Sequence, residues 1–264
     1  MYSQQDHTFA LCAYKESPYL RECVESLLAQ NISTNVLITS STPNQHIKEI
    51  ARQFDIPFFI NTCSSGIASD WNFAYSTTQT PLVTIAHQDD VYCPDYTEHV
   101  LEKINSALNP LIFFSNYGEL RDGVHVSKNR ILAIKRTLLK PLELKSCQNS
   151  IFWRRRSLSL GSAICCPSVT MVKSALPEPL FFEALKTNLD WDAWERITHL
   201  TGAFVYDPSV LMYHRIHEAS ATTALIRDNT RGKEDLLMLS RFWPRPIAKL
   251  INIAYSQSQK SNSL

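Results

Sequence analysis

The 264-residue sequence predicts an α/β protein: a mostly parallel sheet flanked by helices, continued by a C-terminal helical extension. Three observations carry that expectation. Strand-like and helix-like apolar patterns alternate through the first half of the chain. The strand-like runs are apolar on consecutive residues, as strands buried on both faces are. One of them, Val83-Thr84-Ile85-Ala86, empties directly into His87-Gln88-Asp89-Asp90, so two adjacent carboxylates stand where a strand ends.

Phe9 to Ala13 reads as the first buried strand. Ser17 and Pro18 then predict a helix start, Ser as N-cap and Pro at the first helical position, with Leu20, Val24, Leu27 and Leu28 as its apolar stripe. Val36 to Thr39 gives a second strand, Ile47 to Phe54 a short helix, and Phe58 to Ile60 a third strand. The helix from Gly66 to Tyr75 carries Ile67, Trp71 and Ala74 on one face, and Leu82 to Ala86 is the fourth strand. After Pro94 a helix turns Val100, Leu101, Ile104 and Leu108 inward, and Leu111 to Phe114 supplies a fifth strand.

Beyond Tyr117 the pattern loosens. Arg130 to Arg156 holds eight Lys or Arg against the single acid Glu143, which fits a solvated face or a basic segment near an anionic ligand. Order returns with Gly161 to Ser168, a helix carrying Asp190, Trp191, Asp192 and Trp194, and a strand, Val210 to Tyr213, that ends in His214-Arg215-Ile216-His217. From Arg241 the chain is basic without an acid, and apolar at Ile247, Leu250, Ile251 and Ala254. That tail reads either as a helix packed on its own domain or as a basic amphipathic helix resting on an anionic membrane surface.

Composition narrows the function. A net charge of +1 gives no global field for nucleic acid. With six glycines, no Gly-rich phosphate loop is found. The opening residues lack a signal-peptide pattern, and no apolar stretch is long enough to span a bilayer. Seven cysteines without CxxC spacing suit structural thiols in a reducing compartment better than a disulfide framework or a zinc site. A cytoplasmic location follows as the expectation, peripheral at the inner face of the cell membrane if the tail docks there.

Two carboxylates on neighbouring residues repel, and burying them is costly without a cation or hydrogen-bond donors. Open α/β sheets bind ligands at the carboxyl ends of their strands. Asp89 and Asp90 therefore fit a site for a divalent cation with a phosphorylated ligand. A loop whose aspartates cap the following helix fits the local sequence equally.

Taken together and in order, several segments resemble the family 2 glycosyltransferases with the GT-A fold, from about residue 8 to 223. Ala13-Tyr14-Lys15-Glu16 before the Ser17 to Gln30 segment is similar to that family's opening strand and helix. Gly66 to Asn72, Gln88-Asp89-Asp90-Val91-Tyr92, Gly161 to Ser168, Leu189 to Trp194 and Tyr213 to Ser220 resemble its later motifs, the second of them its DXD-type metal motif.

The resemblance implies a donor half at about 8–117 and an acceptor half at about 118–225, within a catalytic domain of 1–225 followed by a helical tail of 226–264. It implies an inverting, metal-dependent enzyme of bacterial cell-surface glycan type, moving a hexose from a nucleotide-diphosphate sugar, a UDP-sugar first, to a hydroxyl acceptor. That acceptor would be a glycan or a lipid-linked precursor. Asp90 would bind Mg2+ or Mn2+ on the donor diphosphate, with His217 as the favoured further ligand and His214 as its competitor. Asp89 would accept from the ribose hydroxyls, and Asp190 would be the general base. Asp192 falls on the other side of its helix and suits a first-turn charge favoured by the dipole.

Ala13, Tyr14, Glu16, Ser41, Asp70 and Asn72 complete the expected nucleotide-sugar contacts. The second strand ends in Thr39-Ser40-Ser41-Thr42, where the resembled family has an acidic pair, so hydroxyls or Asp70 would read the base. Trp71 stands where that family has a basic residue, and its spacing suits the core. The competing classes are a metal-dependent phosphohydrolase or nucleotidyltransferase and a non-catalytic sugar-nucleotide-binding module.

Overall fold

The computed structural model describes residues 1–63, 66–217 and 230–260, with side chains as far as residue 254. Glu218, Ala219 and Ser220 of the late His segment, and the boundary expected at 225/226, lie outside the described residues.

Among the described residues nine strands make one sheet: β1 (His7–Cys12), β2 (Asn35–Ser40), β3 (Phe58–Ile60), β4 (Leu82–His87), β5 (Val91–Tyr92), β6 (Pro110–Arg121), β7 (Val124–Val126), β8 (Val169–Val172) and β9 (Ala203–Ile216). Their spatial order is β3-β2-β1-β4-β8-β6-β9-β5, with β7 paired to β6. β1 runs parallel to β2 and β4, β2 to β3, and β6 to β9. β8 is inserted antiparallel between β4 and β6. Two antiparallel steps restore the direction, so the carboxyl ends of β1, β2, β4, β6 and β9 share one edge.

The helices are α1 (Leu20–Leu28), α2 (Gln45–Gln53), α3 (Ile67–Thr77), α4 (Tyr96–Ser106), α5 (Arg130–Leu139), α6 (Lys145–Gln148), α7 (Ile151–Leu158), α8 (Leu189–Ile197), α9 (Thr230–Leu239) and α10 (Arg245–Lys260). Successive side chains of a strand point to opposite faces. Accordingly Phe9 and Leu11 pack with Leu20, Val24, Ile47, Ile50, Val100 and Ile104 from α1, α2 and α4. Ala10, Val83, Ile85, Ile112 and Phe114 pack on the other face with Ala74, Leu158, Trp191 and Trp194. Met238, Leu239 and Ala248 join this second core, so α9 and α10 are built into the body of the protein. Each fully buried Leu or Ile contributes roughly 2 kcal/mol. His7 is buried in β1, where the hydroxyls of Thr34 (3.1 Å) and Thr84 (2.9 Å) satisfy its ring and burial pulls its pKa down to about 3.

Local expectations change at six places. α1 begins after Tyr19, because Ser17 and Pro18 form a turn in which Ser17 Oγ accepts the Tyr19 amide at 3.3 Å. Leu28, assigned to the stripe, is exposed, and so is Leu108, which lies past the end of α4. The fifth strand runs on to Arg121, because β9 continues alongside it. β9 itself includes His214. The basic stretch is ordered into α5, α6 and α7, where Arg154 is fully buried against the carbonyls of Leu200 and Gly202.

Candidate active site

At the shared strand edge β4 ends in His87, and the turn that follows buries Asp90 completely. Asp90 Oδ1 accepts from His214 Nδ1 (2.9 Å) and from the Arg215 amide (3.0 Å), both supplied by the end of β9. Asp90 Oδ2 is buried without a hydrogen-bond partner, and so is His87 Nε2; His87 Nδ1 lies 3.9 Å from that same Oδ2. Burial pushes the Asp90 carboxyl up, but the His214 imidazole and the donors around it pull harder and hold it below the usual range. Burial lowers His214, and the Asp90 carboxylate beside it more than reverses this, leaving it above its usual value. Each partner thus favours the charged form of the other.

Asp89 turns the other way. Its Oδ2 accepts from His217 Nε2 at 2.8 Å, and its carbonyl accepts from Arg215 Nε at 2.8 Å. Arg215 also pairs with Glu22 and lies over the Tyr19 ring (4.3 Å), tying the start of α1 to the end of β9. Of the two histidines expected near the aspartates, β9 brings His214 to Asp90, and His217 meets Asp89.

Among the described residues no group of three His, Cys, Asp or Glu side chains is arranged to hold a metal ion. Asp90 Oδ2 nevertheless fits a divalent cation, being a hard, ionised oxygen that is buried with nothing to bind. Mg2+ commonly takes one or two carboxylates and completes its shell with water and substrate phosphate.

Asp190 is the second residue of α8, with Oδ1 accepting the amide of Trp191 at 2.8 Å. Burial raises its pKa; the Trp191 amide, Arg231, Lys135 and His87 draw it back only in part. His87 feels the charges of Asp89, Asp90 and Asp190 together, and the thiols of Cys165 and Cys166 feel both Asp90 and Asp190. Asp90 and Asp190 thus share charged and thiol neighbours. Asp192, by contrast, is buried in ion pairs with Arg196 (2.9 Å) and Arg241 (2.7 Å).

The ends of β1 and β2 lie on the same carboxyl edge of the sheet. Ala13 is buried, its amide bonded to the Thr39 carbonyl, while Tyr14 and Glu16 are exposed at the rim. Gln88 grips the Tyr14 backbone from both sides, accepting from its amide (2.9 Å) and donating to its carbonyl (3.0 Å). Lys15 between them sits at φ 55, a left-handed turn that aims its amide at Thr42 Oγ1. Ser41 donates to Asp70 Oδ2 at 2.9 Å, and Asn61 Nδ2 donates to Oδ1 at 2.8 Å, so these three side chains form one polar group.

Asn72 does something the sequence did not suggest. Its Oδ1 accepts the amides of Leu180 (3.1 Å) and Phe181 (3.0 Å), and its Nδ2 donates to the Phe181 carbonyl at 2.7 Å. Its side chain braces α3 to the 180–181 loop. Trp71 next to it is half in the core, stacked on His87 (5.0 Å, 16°) and edge-on to Phe181 (5.0 Å). His87, Asn61 and Arg215 were not singled out from sequence. His87 and Asn61 were within reach of the strand-end rule; Arg215 acts through a fold contact that no local pattern announces. All seven cysteines are free thiols, and burial pushes those of Cys12, Cys23, Cys165 and Cys166 up, Cys12 to about 12.

Comparison with known proteins bears on family and fold. The model of the family described as Glycosyl transferase family 2 matches residues 8–160. An uncharacterised glycosyltransferase of Rickettsia typhi is 25% identical over 217 residues, covering 81% of this chain and 64% of its own length. One of Rickettsia conorii is 26% identical over 222 residues, covering 82% of this chain and 35% of its own. The chain thus spans less than two thirds of these relatives. Among solved structures, the mannosyltransferase PcManGT of Pyrobaculum calidifontis in complex with GDP-Man and Mn2+ superposes with a TM-score of 0.64 at 13% identity, covering 97% of this chain and 70% of that one. S. aureus TarS 1-349 in complex with UDP-GlcNAc does so at 0.63 and 13%, covering 94% and 70%. At such identities the likeness concerns the fold, which is the expected GT-A class.

Proposed function

Because the chain belongs to glycosyl transferase family 2, we propose that it transfers a sugar from a nucleoside diphosphate donor to a hydroxyl acceptor, with inversion at the anomeric carbon. The observation that carries this reading is Asp90 Oδ2: an ionised carboxylate oxygen, buried and unpartnered at the carboxyl edge of a parallel sheet. Asp90 would hold Mn2+ or Mg2+ there. The cation, when bound, neutralises charge growing on the departing nucleoside diphosphate.

The chain's own residues supply the rest. His214 and the Arg215 amide fix Asp90 through its other oxygen, leaving Oδ2 aimed and ionised. Asp89, steadied by His217, is the acceptor for ribose hydroxyls. The group formed by Ser41, Asn61 and Asp70 faces the base, with Ala13, Tyr14 and Glu16 at the nucleoside rim. Asp190 takes the proton of the attacking hydroxyl, and its raised pKa suits a base that must bind a proton transiently. One displacement inverts the anomeric carbon, so no enzyme nucleophile is needed. A phosphohydrolase centre is less well supported, because it wants a second carboxylate–His cluster in the early strands. A pure binding module would leave Asp190 without a task.

Glycosyl acceptors carried on lipid suit the tail. α10 buries Ala248 and turns Ile247 and Leu250 outward beside Arg245 and Lys249. An anionic membrane surface would complement that face.

The test is thermal unfolding with UDP-glucose, UDP-GlcNAc and GDP-mannose, each with and without Mn2+ and Mg2+. A donor at a hundred times its Kd stabilises by about 2.7 kcal/mol. A rise in melting temperature that needs both a sugar nucleotide and the cation supports the reading and selects base and sugar. Insensitivity to every pairing overturns it.

A further inference from the structure

We infer that Glu234, on α9, is a positioning residue for the transfer step, gripping the backbone that leads into the base-bearing helix α8 and so fixing Asp190. The inference rests on the reading of Asp190 as the base.

α8 lacks a cap of its own. Its N-cap residue, Asn188, makes no side-chain cap hydrogen bond, and its amide group donates instead to Asp235 Oδ1 at 2.8 Å. The free amides at a helix N-terminus need acceptors. Glu234, on another helix, accepts the first of them, that of Asn188, together with the amides of the two residues leading into the helix. One of its oxygens accepts the Lys186 amide (2.8 Å); the other accepts the Thr187 amide (2.8 Å), the Thr187 hydroxyl and the Asn188 amide (3.2 Å). Burial pushes the Glu234 carboxyl up, and these four donors hold it below its usual range, so it stays ionised. A carboxylate at this end of α8 is also favoured by the helix dipole.

The three residues so held run directly into Leu189 and Asp190. Their backbone sets where the first turn of α8 begins, and the Asp190 side chain is folded onto that turn through the Trp191 amide. Arg231, a turn earlier than Glu234 and Asp235 on α9, is the cation whose charge bears most on Asp190. α9 therefore meets the base from two sides: backbone through Glu234, charge through Arg231. Nothing in the Glu234 contact reaches Asp90 or the donor edge. Loss of Glu234 should then act on turnover and leave donor binding alone, since small misplacements of a reacting group cost rate steeply.

The experiment uses the full chain, with turnover read as nucleoside diphosphate released from the sugar nucleotide chosen by the thermal screen and water accepting the sugar. The water O–H attacks the anomeric carbon, its proton passes to Asp190, and the diphosphate leaves. Glu234→Ala is expected to lower kcat about 30-fold with donor KM within about threefold. Glu234→Gln, whose amide oxygen still accepts from Thr187 and Asn188, should return to within about fivefold of the parent.

In an Asp190→Asn background Glu234→Ala should cost nothing further, because two residues acting through one group are not additive. The same fold loss in both backgrounds would make Glu234 merely structural and overturn the inference, as would a kcat for Glu234→Ala within twofold of the parent. Full turnover by Asp190→Asn alone would overturn the base assignment, and the inference with it. Should Glu234→Ala not fold, Thr187→Val removes a single donor to that carboxylate. A kcat several-fold lower at unchanged KM supports the inference, and parental kcat contradicts it.

Discussion

His214 donates through Nδ1 to Oδ1 of Asp90 at 2.9 Å, joining residues 124 positions apart in the chain. Asp90 is fully buried and ionised, so the bond stabilises a charge that water cannot reach. Removing one partner of a buried ion pair costs about 3 kcal/mol, because the remaining charge is left uncompensated. His214→Ala should lose about that much, measured by urea unfolding in the presence of a chelator. His214→Asn, which keeps an N–H donor, should lose less. Equal stability of His214→Ala and the parent would mean that Asp90 is protonated in the folded state.

Asn72 separates a brace from a donor contact. Its three hydrogen bonds all go to the backbone of Leu180 and Phe181. Asn72→Ala should therefore destabilise the protein by roughly 2 kcal/mol and lower turnover, with affinity for the sugar nucleotide unchanged. Calorimetric titration of the variant with the donor checks this. A tenfold loss of donor affinity without loss of stability would restore the donor contact expected from sequence.

The pH profile reports on Asp190. Its pKa lies above the ordinary 3.8 because burial outweighs the Trp191 amide and the cations around it. A base must be ionised, so turnover falls as pH drops through this raised value, and the acid limb of kcat stands above that of an exposed Asp. Arg231 favours the carboxylate; Arg231→Gln removes that help and should move the limb to higher pH still. A limb that stays in place or moves down contradicts the influence of Arg231 on the base.

The outward face of α10 gives a membrane test. The parent protein should sediment with vesicles containing phosphatidylglycerol, and the double variant Ile247→Asp, Leu250→Asp should remain in the supernatant. Equal sedimentation of the two would leave that face without a lipid role.

The sheet was legible wherever consecutive apolar residues ended in turn residues, as at Phe9 to Ala13 and Val83 to Ala86. The pairing of β8 was not, because Val169 to Val172 is a short apolar run whose antiparallel neighbours, β4 and β6, lie far away in sequence. The aspartates at 89 and 90 were visible from the strand-end rule and His214 and His217 were candidates beside them, but the pairing was not legible. Which His meets which Asp depends on how far β9 runs before it leaves the sheet, and its partner β6 decides that. Ser17 misled for a local reason: Ser followed by Pro serves a turn as well as a helix start. Glu234 carries no motif, and its role exists only once α9 is docked on the loop before α8.

The central claim is that Asp90 Oδ2 grips the cation that tethers the donor. Its most direct measurement is calorimetric titration of UDP and GDP into the parent and into Asp90→Asn, each with and without Mn2+. The account expects nucleoside diphosphate binding that requires Mn2+ in the parent and loses that requirement, together with most of its affinity, in the variant. Binding by Asp90→Asn that is as tight as the parent's, and as dependent on Mn2+, would contradict it.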